Sequence, residues 1–496
     1  MKWVAYPLVI LAAAVALAVG RTERAGPAGV PAPIRSASVD APRTRLEFPG
    51  FAVLPPPGDG WELLANPGTS RPLLGFDLLF IKIVSPTELA HAYVAVHRIP
   101  GESAAAKILE ESFHRFIKSR NPTSVIALGH ESRPNCLRWE MMHETTRYFH
   151  GIQLPVQPAW ESQYQGYLCS HPDAPTYVVE IGYFDTIVSG EANSRADEAE
   201  MFLRGFSLTR LGAKVSQFPV GHKPRGVAQT DGALWLTEEN LGAVSRIDPK
   251  TGSLVASIPV GKKPEGLAAG AGAVWVPNWA SDSISRIDPT TNRVAATIPI
   301  QSGPTAIAVR GGAVWVTCEK SRSVARIDAS TNRVNATIST GGRPAAIATS
   351  HDAIWVENFG TNSIWRIDPE TRQAVSILVG RGRHLITSAH NAVWVSNSID
   401  DSVSRIDAAA GRVIATVKVG RIPMGLVAAG GMLWVANFGD STLMRIDPKT
   451  DQVTGAPIPV GENPFLLDTD AGTVWALDVW GWEEGTLSKV RFDQSN

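Results

Sequence analysis

The sequence predicts a multidomain protein in which an N-terminal α+β domain precedes an all-β, seven-bladed propeller closed by an N-terminal strand. Three observations lead to this prediction: a tryptophan recurs at a nearly fixed spacing, four short runs separate successive tryptophans, and one isolated run precedes the first repeat. The steps between the tryptophans are 40, 40, 40, 39, 40 and 41 residues. The recurring residues are Trp235, Trp275, Trp315, Trp355, Trp394, Trp434 and Trp475. A period near 40 with four strands per unit is typical of a β-propeller.

Each repeat places its turn residues at the same points. In the second repeat the four runs are 264–268, 273–278, 283–289 and 293–298, which leaves no room for a helix. The third run ends in Arg-Ile-Asp-Pro, and we expect its aspartate to accept hydrogen bonds from the backbone of the following turn. A catalytic or calcium-binding role is the alternative for these carboxylates. They are Asp248, Asp288, Asp328, Asp368, Asp407, Asp447 and Asp493.

The repeat tryptophans are expected to pack between neighbouring blades, since an indole buries a large apolar area. Ligand stacking is the alternative role. The last repeat ends near Asp493, which leaves no residues for a fourth strand. The segment 214–221, which precedes the first repeat, aligns with the fourth strand 254–261 at a step of 40 residues. The N-terminal segment is therefore predicted to complete the last blade, which removes two open sheet edges.

The N-terminal part has a different organisation. Residues 1–20 match a signal peptide or, if uncleaved, an anchor over residues 4–19, and 21–45 reads as a linker. The remainder of the chain is thus expected outside the cytoplasm, in the periplasm or secreted. Residues 46–211 are predicted to be an α+β domain with a first helix over 103–120 and a second over 197–206. Its strands are predicted over 79–84, 92–97, 124–128, 137–142, 162–169 and 177–184.

Charge and cysteine content narrow the functional classes. The net charge is −1, so bulk charge indicates neither nucleic acid nor a membrane surface as a partner. The cysteines are Cys136, Cys169 and Cys318, too few for a disulfide scaffold or a zinc site of cysteines alone. In an oxidising compartment Cys136 and Cys169 could pair, and two separate buried thiols are the alternative.

Two family resemblances follow from short motifs. Pro57-Gly58-Asp59-Gly60-Trp61 and the helix end 202–206 resemble the PsbP/Mog1-like fold, which implies partner binding or assembly rather than catalysis. Trp-Val-x-Asn in the repeats resembles the YVTN-type bacterial propellers. Trp235-Leu236-Thr237-Glu238 and Ile247-Asp248 are more distantly similar to the virginiamycin B lyase family. A propeller hosts many unrelated activities, so these resemblances indicate a fold more than a function.

The loops before the first strand and after the second strand of each blade are predicted to open on one face, the mouth. Its residues vary between blades, as a binding surface would. The candidate ligand-binding residues are Arg225, Glu265, Trp279, Arg343, Phe359, Arg381, Arg383, His384, Arg421 and Phe438. Cations with aromatic neighbours suit an anionic or planar small ligand or an acidic peptide. Solvated loop charges without a function are the alternative interpretation.

The sequence supports two functions. The favoured one is an exported binding or scaffold protein, with a second protein partner for the N-terminal domain. The alternative is a metal-dependent lyase or lactonase, because the lyase resemblance implies a metal-assisted elimination by histidine and glutamate. Glu265, His384 and Glu238 are available, but Leu267 stands where a second histidine is needed. Mg²⁺ or Ca²⁺ would then be held by Glu238, Glu265 or Asp478.

Overall fold

The computed structural model describes residues 37–38, 46–48, 51–53, 56, 62–65, 78–85, 88–98, 125–129, 136–145, 148–149, 152–153, 160–188, 196–204, 206–208, 211–350, 352–470, 472–480 and 484–492. Contacts between residues divide the chain into two compact units, one within residues 1–210 and one comprising Leu211–Asn496. The predicted signal segment, the predicted helix 103–120 and Asp493 lie outside the described residues. Within the described part of the chain, no helix has the length and hydropathy needed to cross a membrane.

The first unit is built on a large antiparallel sheet. Its strands are β1 Ala37–Ser38, β2 Leu46–Phe48, β3 Phe51–Val53, β4 Glu62–Ala65, β5 Leu78–Ser85, β6 Glu88–Arg98, β7 Val125–Gly129, β8 Cys136–Thr145, β9 Tyr148–Phe149, β10 Ile152–Gln153, β11 Trp160–His171, β12 Ala174–Val188 and β13 Ser207–Leu208, with helix α1 at Ala196–Arg204. Eight strands form one sheet in the order β1-β4-β5-β6-β12-β11-β8-β7. A three-stranded sheet, β13-β3-β2, and the hairpin β9–β10 complete the described strands.

This unit agrees with most of the predicted elements. The six predicted strands coincide with β5, β6, β7, β8, β11 and β12, and the second predicted helix corresponds to α1. The predicted linker contains β1, which pairs with β4. Cys136 and Cys169 lie directly opposite each other on β8 and β11 and form a disulfide. Of the two alternatives for these cysteines, the structure contains the bridge.

The second unit contains seven four-stranded antiparallel sheets. Sheet 1 comprises β15 Pro224–Thr230, β16 Ala233–Glu238, β17 Ala243–Ile247 and β18 Leu254–Pro259; sheet 2, β19 Ala268–Gly270, β20 Ala273–Asn278, β21 Ser283–Asp288 and β22 Arg293–Pro299; sheet 3, β23 Pro304–Arg310, β24 Ala313–Cys318, β25 Ser323–Asp328 and β26 Arg333–Ser339; sheet 4, β27 Pro344–Thr349, β28 Ile354–Asn358, β29 Ser363–Ile367 and β30 Ala374–Leu378. Sheet 5 comprises β31 Ile386–Ala389, β32 Ala392–Asn397, β33 Ser402–Asp407 and β34 Arg412–Lys418; sheet 6, β35 Pro423–Ala429, β36 Met432–Asn437, β37 Thr442–Asp447 and β38 Gln452–Pro459; sheet 7, β39 Pro464–Asp470, β40 Thr473–Trp480, β41 Glu484–Phe492 and β14 Ala213–His222.

The strand that precedes sheet 1 is the outer strand of sheet 7. In β14, Val215 pairs with Val490 and Phe218 with Leu487 of β41. The Phe218 ring lies 6.5 Å from the Trp475 ring, measured between centroids. Both belong to an apolar cluster that also includes Leu234 of sheet 1. Side chains of the first and last sheets therefore share one core.

The repeat tryptophans occupy the second strand of every sheet and are at most 3% exposed. These tryptophans pack against the sheet that follows their own. Trp235 of sheet 1 lies in one cluster with Val274 of sheet 2, and Trp355 of sheet 4 lies in one cluster with Val393 of sheet 5. At about 25 cal/mol per Å² over about 150–250 Å², each indole contributes roughly 4–6 kcal/mol before entropy is subtracted. The predicted packing role of the tryptophans is confirmed.

The aspartates at the end of the third strands form turns. Asp288 accepts a hydrogen bond of 2.8 Å from the backbone N–H of Thr290, and Asp328 accepts one of 2.9 Å from that of Ser330. Asn292 then adopts a φ of +56°, the left-handed conformation that asparagine tolerates better than most residues. These carboxylates are bonded within their own turns, so the predicted turn-making role is confirmed for them.

Candidate functional site

One face of the second unit brings two kinds of loop together. The loop before each first strand and the loop after each second strand are joined by backbone hydrogen bonds, such as Trp279 N–H to Lys263 O at 2.9 Å and Phe359 N–H to Arg343 O at 2.8 Å. The same bond links Phe438 N–H to Ile422 O at 3.0 Å. We call this surface the mouth face. The predicted candidates Trp279, Arg343, Phe359 and Phe438 therefore lie on the same face.

Six side chains form a connected surface over sheets 2, 3 and 4, which we call the rim cluster. They are Lys263, Trp279, Glu319, Lys320, Arg343 and Phe359. The ammonium nitrogen of Lys320 lies 3.7 Å from the centre of the Trp279 ring, and that of Lys263 lies 5.2 Å from it. The indole N–H of Trp279 donates to Glu319 at 3.2 Å. Two cations thus share one aromatic ring.

The rim cluster continues from Glu319 into sheet 4. Arg343 pairs with Glu319, its Nε lying 3.1 Å from Oε1, and its guanidinium lies 5.6 Å from the centre of the Phe359 ring. The Phe359 side chain is 51% exposed, and that of Arg343 is 57% exposed. The cluster therefore combines three cations and one carboxylate with two aromatic rings that solvent can reach.

Three other predicted arginines are neutralised by local carboxylates. Arg225 Nε lies 2.7 Å from Glu239, which also pairs with Lys223 at 2.8 Å. Arg381 is held by Asp400 at 2.8 Å, and Arg421 by Asp440 at 2.8 Å. These pairs reduce the positive charge that the sequence predicted for the mouth.

Arg383 is different from these arginines. Its guanidinium lies 5.3 Å from the centre of the Phe465 ring of sheet 7, and it forms no ion pair with any residue that the structure describes. Its positive charge lowers the pKa of Glu265, although burial outweighs this and raises that pKa above its usual range. Arg225 of sheet 1 and Glu319 of sheet 3 also influence Glu265. Charges from several sheets therefore converge on Glu265.

The structure corrects the predicted position of His384. Its side chain is completely buried, and its Nδ1 lies 2.8 Å from the carbonyl oxygen of Ser396. Burial lowers the pKa of the imidazole, which disfavours its charged form. Its backbone N–H donates to Glu357 of the preceding sheet at 2.9 Å. His384 is therefore a packing residue between sheets and offers no surface to a ligand.

Two of the three predicted metal ligands, Glu238 and Asp478, are buried within their own sheets, whereas Glu265 is half-buried. Glu238 is 5% exposed and accepts a hydrogen bond from the hydroxyl of Ser245. Asp478 is fully buried and bonded to the hydroxyl of Ser488 at 2.5 Å. Each stands at the repeat position where Asn278 accepts the N–H of Gly261 at 3.0 Å, so both serve the structure of their own sheets. Among the described residues, no group of three His, Cys, Asp or Glu side chains could hold a metal ion.

Three residues of the rim cluster, Lys263, Glu319 and Lys320, are absent from the candidates predicted from the sequence. Glu319 stands one residue beyond Cys318, as Trp279 does beyond Asn278 and Phe359 beyond Asn358. The shared repeat position was the available signal, and Cys318 obscured it by replacing the usual asparagine. Lys320 follows directly and was missed for the same reason.

The comparisons with known proteins concern the second unit. Residues 209–379 match the virginiamycin B lyase family. The match supports a propeller fold that is distantly similar to this family, and it covers part of the described sheets. No curated protein matches the chain.

Several solved structures are similar to part of this chain. The virginiamycin B lyase of Staphylococcus aureus is 20% identical, with a TM-score of 0.48, over 56% of this chain and 100% of that one. A streptogramin B lyase is 17% identical, with a TM-score of 0.49, over 56% of this chain and 99% of that one. The hydrazine synthase of Kuenenia stuttgartiensis is 16% identical, with a TM-score of 0.47, over 55% of this chain and 96% of that one.

Proposed function

We propose that the protein is an exported binding protein whose mouth face captures an anionic ligand, either a small molecule or an acidic peptide. The observation that carries this proposal is the rim cluster, where Lys263 and Lys320 lie over the same Trp279 ring. An ammonium group held over an aromatic ring is attracted to it and stays available to an incoming anion. Only Glu319 offsets the three cations of the cluster, so the surface attracts negative charge.

The scaffold of this proposal is a closed, seven-bladed propeller. We take the seven four-stranded sheets as its blades and β14 as the strand that closes the ring. The hydrogen bond of 2.5 Å from Lys489 Nζ of sheet 7 to the carbonyl oxygen of Pro249 of sheet 1 supports this closure. A closed ring fixes the loops of the mouth face relative to one another, which preorganises the rim cluster for binding.

The proposal extends to the N-terminal unit and to localisation. The apolar start of the chain supports export to the periplasm or the medium, or a membrane anchor if it is retained. The Cys136–Cys169 disulfide suits an oxidising compartment. The first unit, which we propose to be PsbP/Mog1-like, would bind a second protein partner. Nucleic acid is not expected as a partner because the net charge is −1.

A binding experiment with two matched charge reversals tests the proposal. The probe is a tetramethylrhodamine-labelled hexaglutamate peptide, and fluorescence anisotropy at about 50 mM salt measures capture, since low salt preserves electrostatic attraction. The test variant is Lys263→Glu/Lys320→Glu. The control is Lys250→Glu/Lys449→Glu, which changes net charge equally in turns after the third strands. We expect the first variant to lose at least about tenfold in affinity, which corresponds to about 1.4 kcal/mol, and the control to keep the affinity of the parent protein. Equal losses of affinity in both variants would show that net charge alone explains peptide binding, and this would refute the proposal.

A metal-dependent lyase is the second candidate, and the family match over residues 209–379 is the observation that favours it. Among the residues that the structure describes, Glu238 and Asp478 do not fit the metal that such chemistry uses, because they are buried in separate hydrogen-bond networks. Thermal unfolding with and without Mg²⁺ or Ca²⁺ distinguishes the candidates. A clear stabilisation that Glu265→Gln abolishes would favour the lyase, since a bound ion raises the unfolding temperature.

A further inference from the structure

A cavity of about 570 Å³ lies between sheets 5 and 6, and we call it the turn cavity. Its walls include the turns that join first to second strands and the turn that follows a third strand. In a four-stranded antiparallel sheet these turns lie at the opposite end from the loops of the mouth face. The side chains that line the cavity are His390, Arg405, Met432, Asp447, Pro448 and Lys449. A cavity of this size can hold a small molecule.

Basic side chains dominate the polar lining of the turn cavity. Three of its residues carry basic groups, and they are His390, Arg405 and Lys449. Asp447 is the one carboxylate among the described residues that line it, and its side chain already accepts the backbone N–H of Lys449 at 2.8 Å. His390 and Lys449 are exposed and form no ion pair with any residue that the structure describes. The cavity is therefore a concave surface with an excess of positive charge, which attracts anions.

Arg405 is held in place on the wall of the turn cavity. Its guanidinium lies 5.2 Å from the centre of the Trp394 ring, and its Nη1 donates to Asp451 at 2.9 Å. The side chain is 19% exposed, and its other terminal nitrogen, Nη2, donates to none of the described residues. An arginine that is oriented by a ring and one ion pair, with a second nitrogen left over, is prepared to bond an oxyanion.

The equivalent junction between sheets 1 and 2 is filled in a different way. There Arg246 donates a hydrogen bond of 2.9 Å to the carbonyl oxygen of Pro289. Pro448 stands at the position of Pro289 in its own repeat, but Arg405 bonds to Asp451 instead and Pro448 lines the cavity. The space that Arg246 bridges in the first junction is thus open beside Arg405.

The two exposed cations of the turn cavity are also particular to this junction. At the junctions of sheet 1 with sheet 2 and of sheet 2 with sheet 3, the positions equivalent to His390 and Lys449 hold no basic side chain. They are Asp231 and Thr290 at the first junction, and Ala271 and Ser330 at the second. The positive lining is therefore not a general consequence of the repeat.

The arrangement of donors indicates a phosphate group as the ligand. Arg405, His390 and Lys449 belong to three separate segments, so their donors approach a bound group from different directions. A phosphate monoester offers three strong acceptor oxygens and a charge of about −1.5 to −2 at pH 7. A carboxylate offers two oxygens and one charge. Met432 and Pro448 add apolar surface for the organic part of such a molecule.

We propose that the turn cavity binds the phosphate group of a small phosphate monoester. Arg405, His390 and Lys449 donate to the phosphate oxygens, and Met432 contacts the organic part. This site goes beyond the proposed function, because it lies at the other end of the sheets and shares no residue with the rim cluster.

Three small anions test the class of ligand by isothermal titration calorimetry: phenyl phosphate, inorganic phosphate and benzoate. We expect phenyl phosphate to bind at least about fivefold more tightly than both others. Inorganic phosphate lacks the organic part, and benzoate has fewer acceptor oxygens and less charge. A smaller preference, or no binding of phenyl phosphate, would overturn the inference.

Two single variants test the residues of the turn cavity. They are Lys449→Gln and His390→Asn, and asparagine tolerates the φ of +51° at position 390. Each should weaken the binding of phenyl phosphate at least about fivefold, because each removes a donor to the phosphate. The control is Lys250→Gln, since Lys250 is exposed at the same repeat position in sheet 1, and it should keep the affinity of the parent protein. Retained affinity in Lys449→Gln or His390→Asn would contradict the proposed site.

The two charge-reversed variants of the hexaglutamate experiment separate this site from the mouth face. Lys250→Glu/Lys449→Glu should lose the binding of phenyl phosphate and keep the capture of hexaglutamate, whereas Lys263→Glu/Lys320→Glu should do the reverse. Loss of phenyl phosphate binding in Lys263→Glu/Lys320→Glu would place the phosphate on the mouth face and refute the inference. Failure of hexaglutamate capture would refute the proposed function alone.

Discussion

The guanidinium of Arg286 lies 5.3 Å from the centre of the Trp275 ring and donates a hydrogen bond of 3.0 Å to the side chain of Asn332 in the next sheet. The two residues Arg286 and Trp275 are direct cross-strand partners. The same arrangement links Arg246 with Trp235 and with Asn292. In sheets 1 and 2, one arginine therefore covers the buried tryptophan of its own sheet and also bonds to the following sheet.

This relationship predicts a difference between two equivalent arginines. Arg326 lies over Trp315 in the same way. The residue equivalent to Asn332 in the next repeat is Arg372, which cannot accept a hydrogen bond from Arg326. Among the described residues, no hydrogen bond joins Arg326 to the next sheet. We expect Arg286→Met to lower the free energy of unfolding by about 1–2 kcal/mol, because it removes both a cation–π contact and a hydrogen bond. Arg326→Met should cost about half as much. Denaturant unfolding measures both, and equal losses would show that the bond to Asn332 contributes nothing.

The core shared by the first and last sheets includes Phe218, which is 5% exposed and packs in one cluster with Trp475 and Leu234. Phe218→Ala should destabilise the second unit by about 3–5 kcal/mol, because it leaves a cavity between the first and last sheets. Val255→Ala is the control, since Val255 is 55% exposed on the outer strand of sheet 1 and its truncation should cost at most about 0.5 kcal/mol. Hydrogen exchange should also show faster exchange in β14 of Phe218→Ala. Unchanged protection there would contradict the closing role that we propose for β14.

Glu357 predicts a pH dependence of stability. It is fully buried, and burial raises its pKa from 4.5 to about 7. The folded chain therefore binds this proton more tightly than the unfolded chain, and the stabilisation is complete below about pH 4.5 and lost as the pH rises through 7. Relative to Glu357→Gln, the parent protein should lose up to about 3 kcal/mol over this interval.

The pH experiment compares three proteins by denaturant unfolding between pH 4.5 and 7, the range set by this carboxyl. Glu357→Gln keeps an oxygen that can accept the backbone N–H of His384, so its stability should change least with pH. Glu370→Gln, at an exposed turn, should behave as the parent protein does. Parallel curves for Glu357→Gln and the parent protein would disprove the assignment.

The disulfide gives a prediction for thiol titration. The chain contains three cysteines, of which Cys136 and Cys169 are bridged and Cys318 is a buried thiol. Burial raises the pKa of Cys318 to about 12, so it should react slowly in the folded protein. In denaturant without reductant we expect one reactive thiol per chain, and three after reduction. Three thiols before reduction would rule out the bridge.

The repeating features were predictable because each uses local chemistry. The turn at Asp288 needs only the N–H groups that follow it, and Trp275 marks a buried strand by its spacing alone. The disulfide stayed an open alternative, because opposition of Cys136 and Cys169 depends on the register of β8 against β11. Spacing along the chain does not determine that register.

The candidate site was predicted less completely, because its ion pairs join residues from different loops. Arg381 is neutralised by Asp400, which lies 19 residues further along the chain, and a count of cations cannot reveal such a pair. His384 is completely buried, whereas Glu265 at the same repeat position is half-buried, because the backbone N–H of His384 donates to Glu357 of the preceding sheet. Glu357 is the one glutamate at its repeat position, two residues after the repeat tryptophan. In other sheets Thr237 and Thr317 occupy this position and donate hydrogen bonds to the chain of the following repeat.

The most direct test of anionic ligand capture is the indole N–H resonance of Trp279, observed in protein carrying ¹⁵N-labelled tryptophan during titration with hexaglutamate. Trp279 lies in the rim cluster and donates to Glu319, whereas the repeat tryptophans are buried away from the mouth face. The account predicts a saturable shift of the Trp279 signal that Lys263→Glu/Lys320→Glu abolishes, with the buried indoles unmoved. A Trp279 signal that stays fixed at saturating peptide would contradict it.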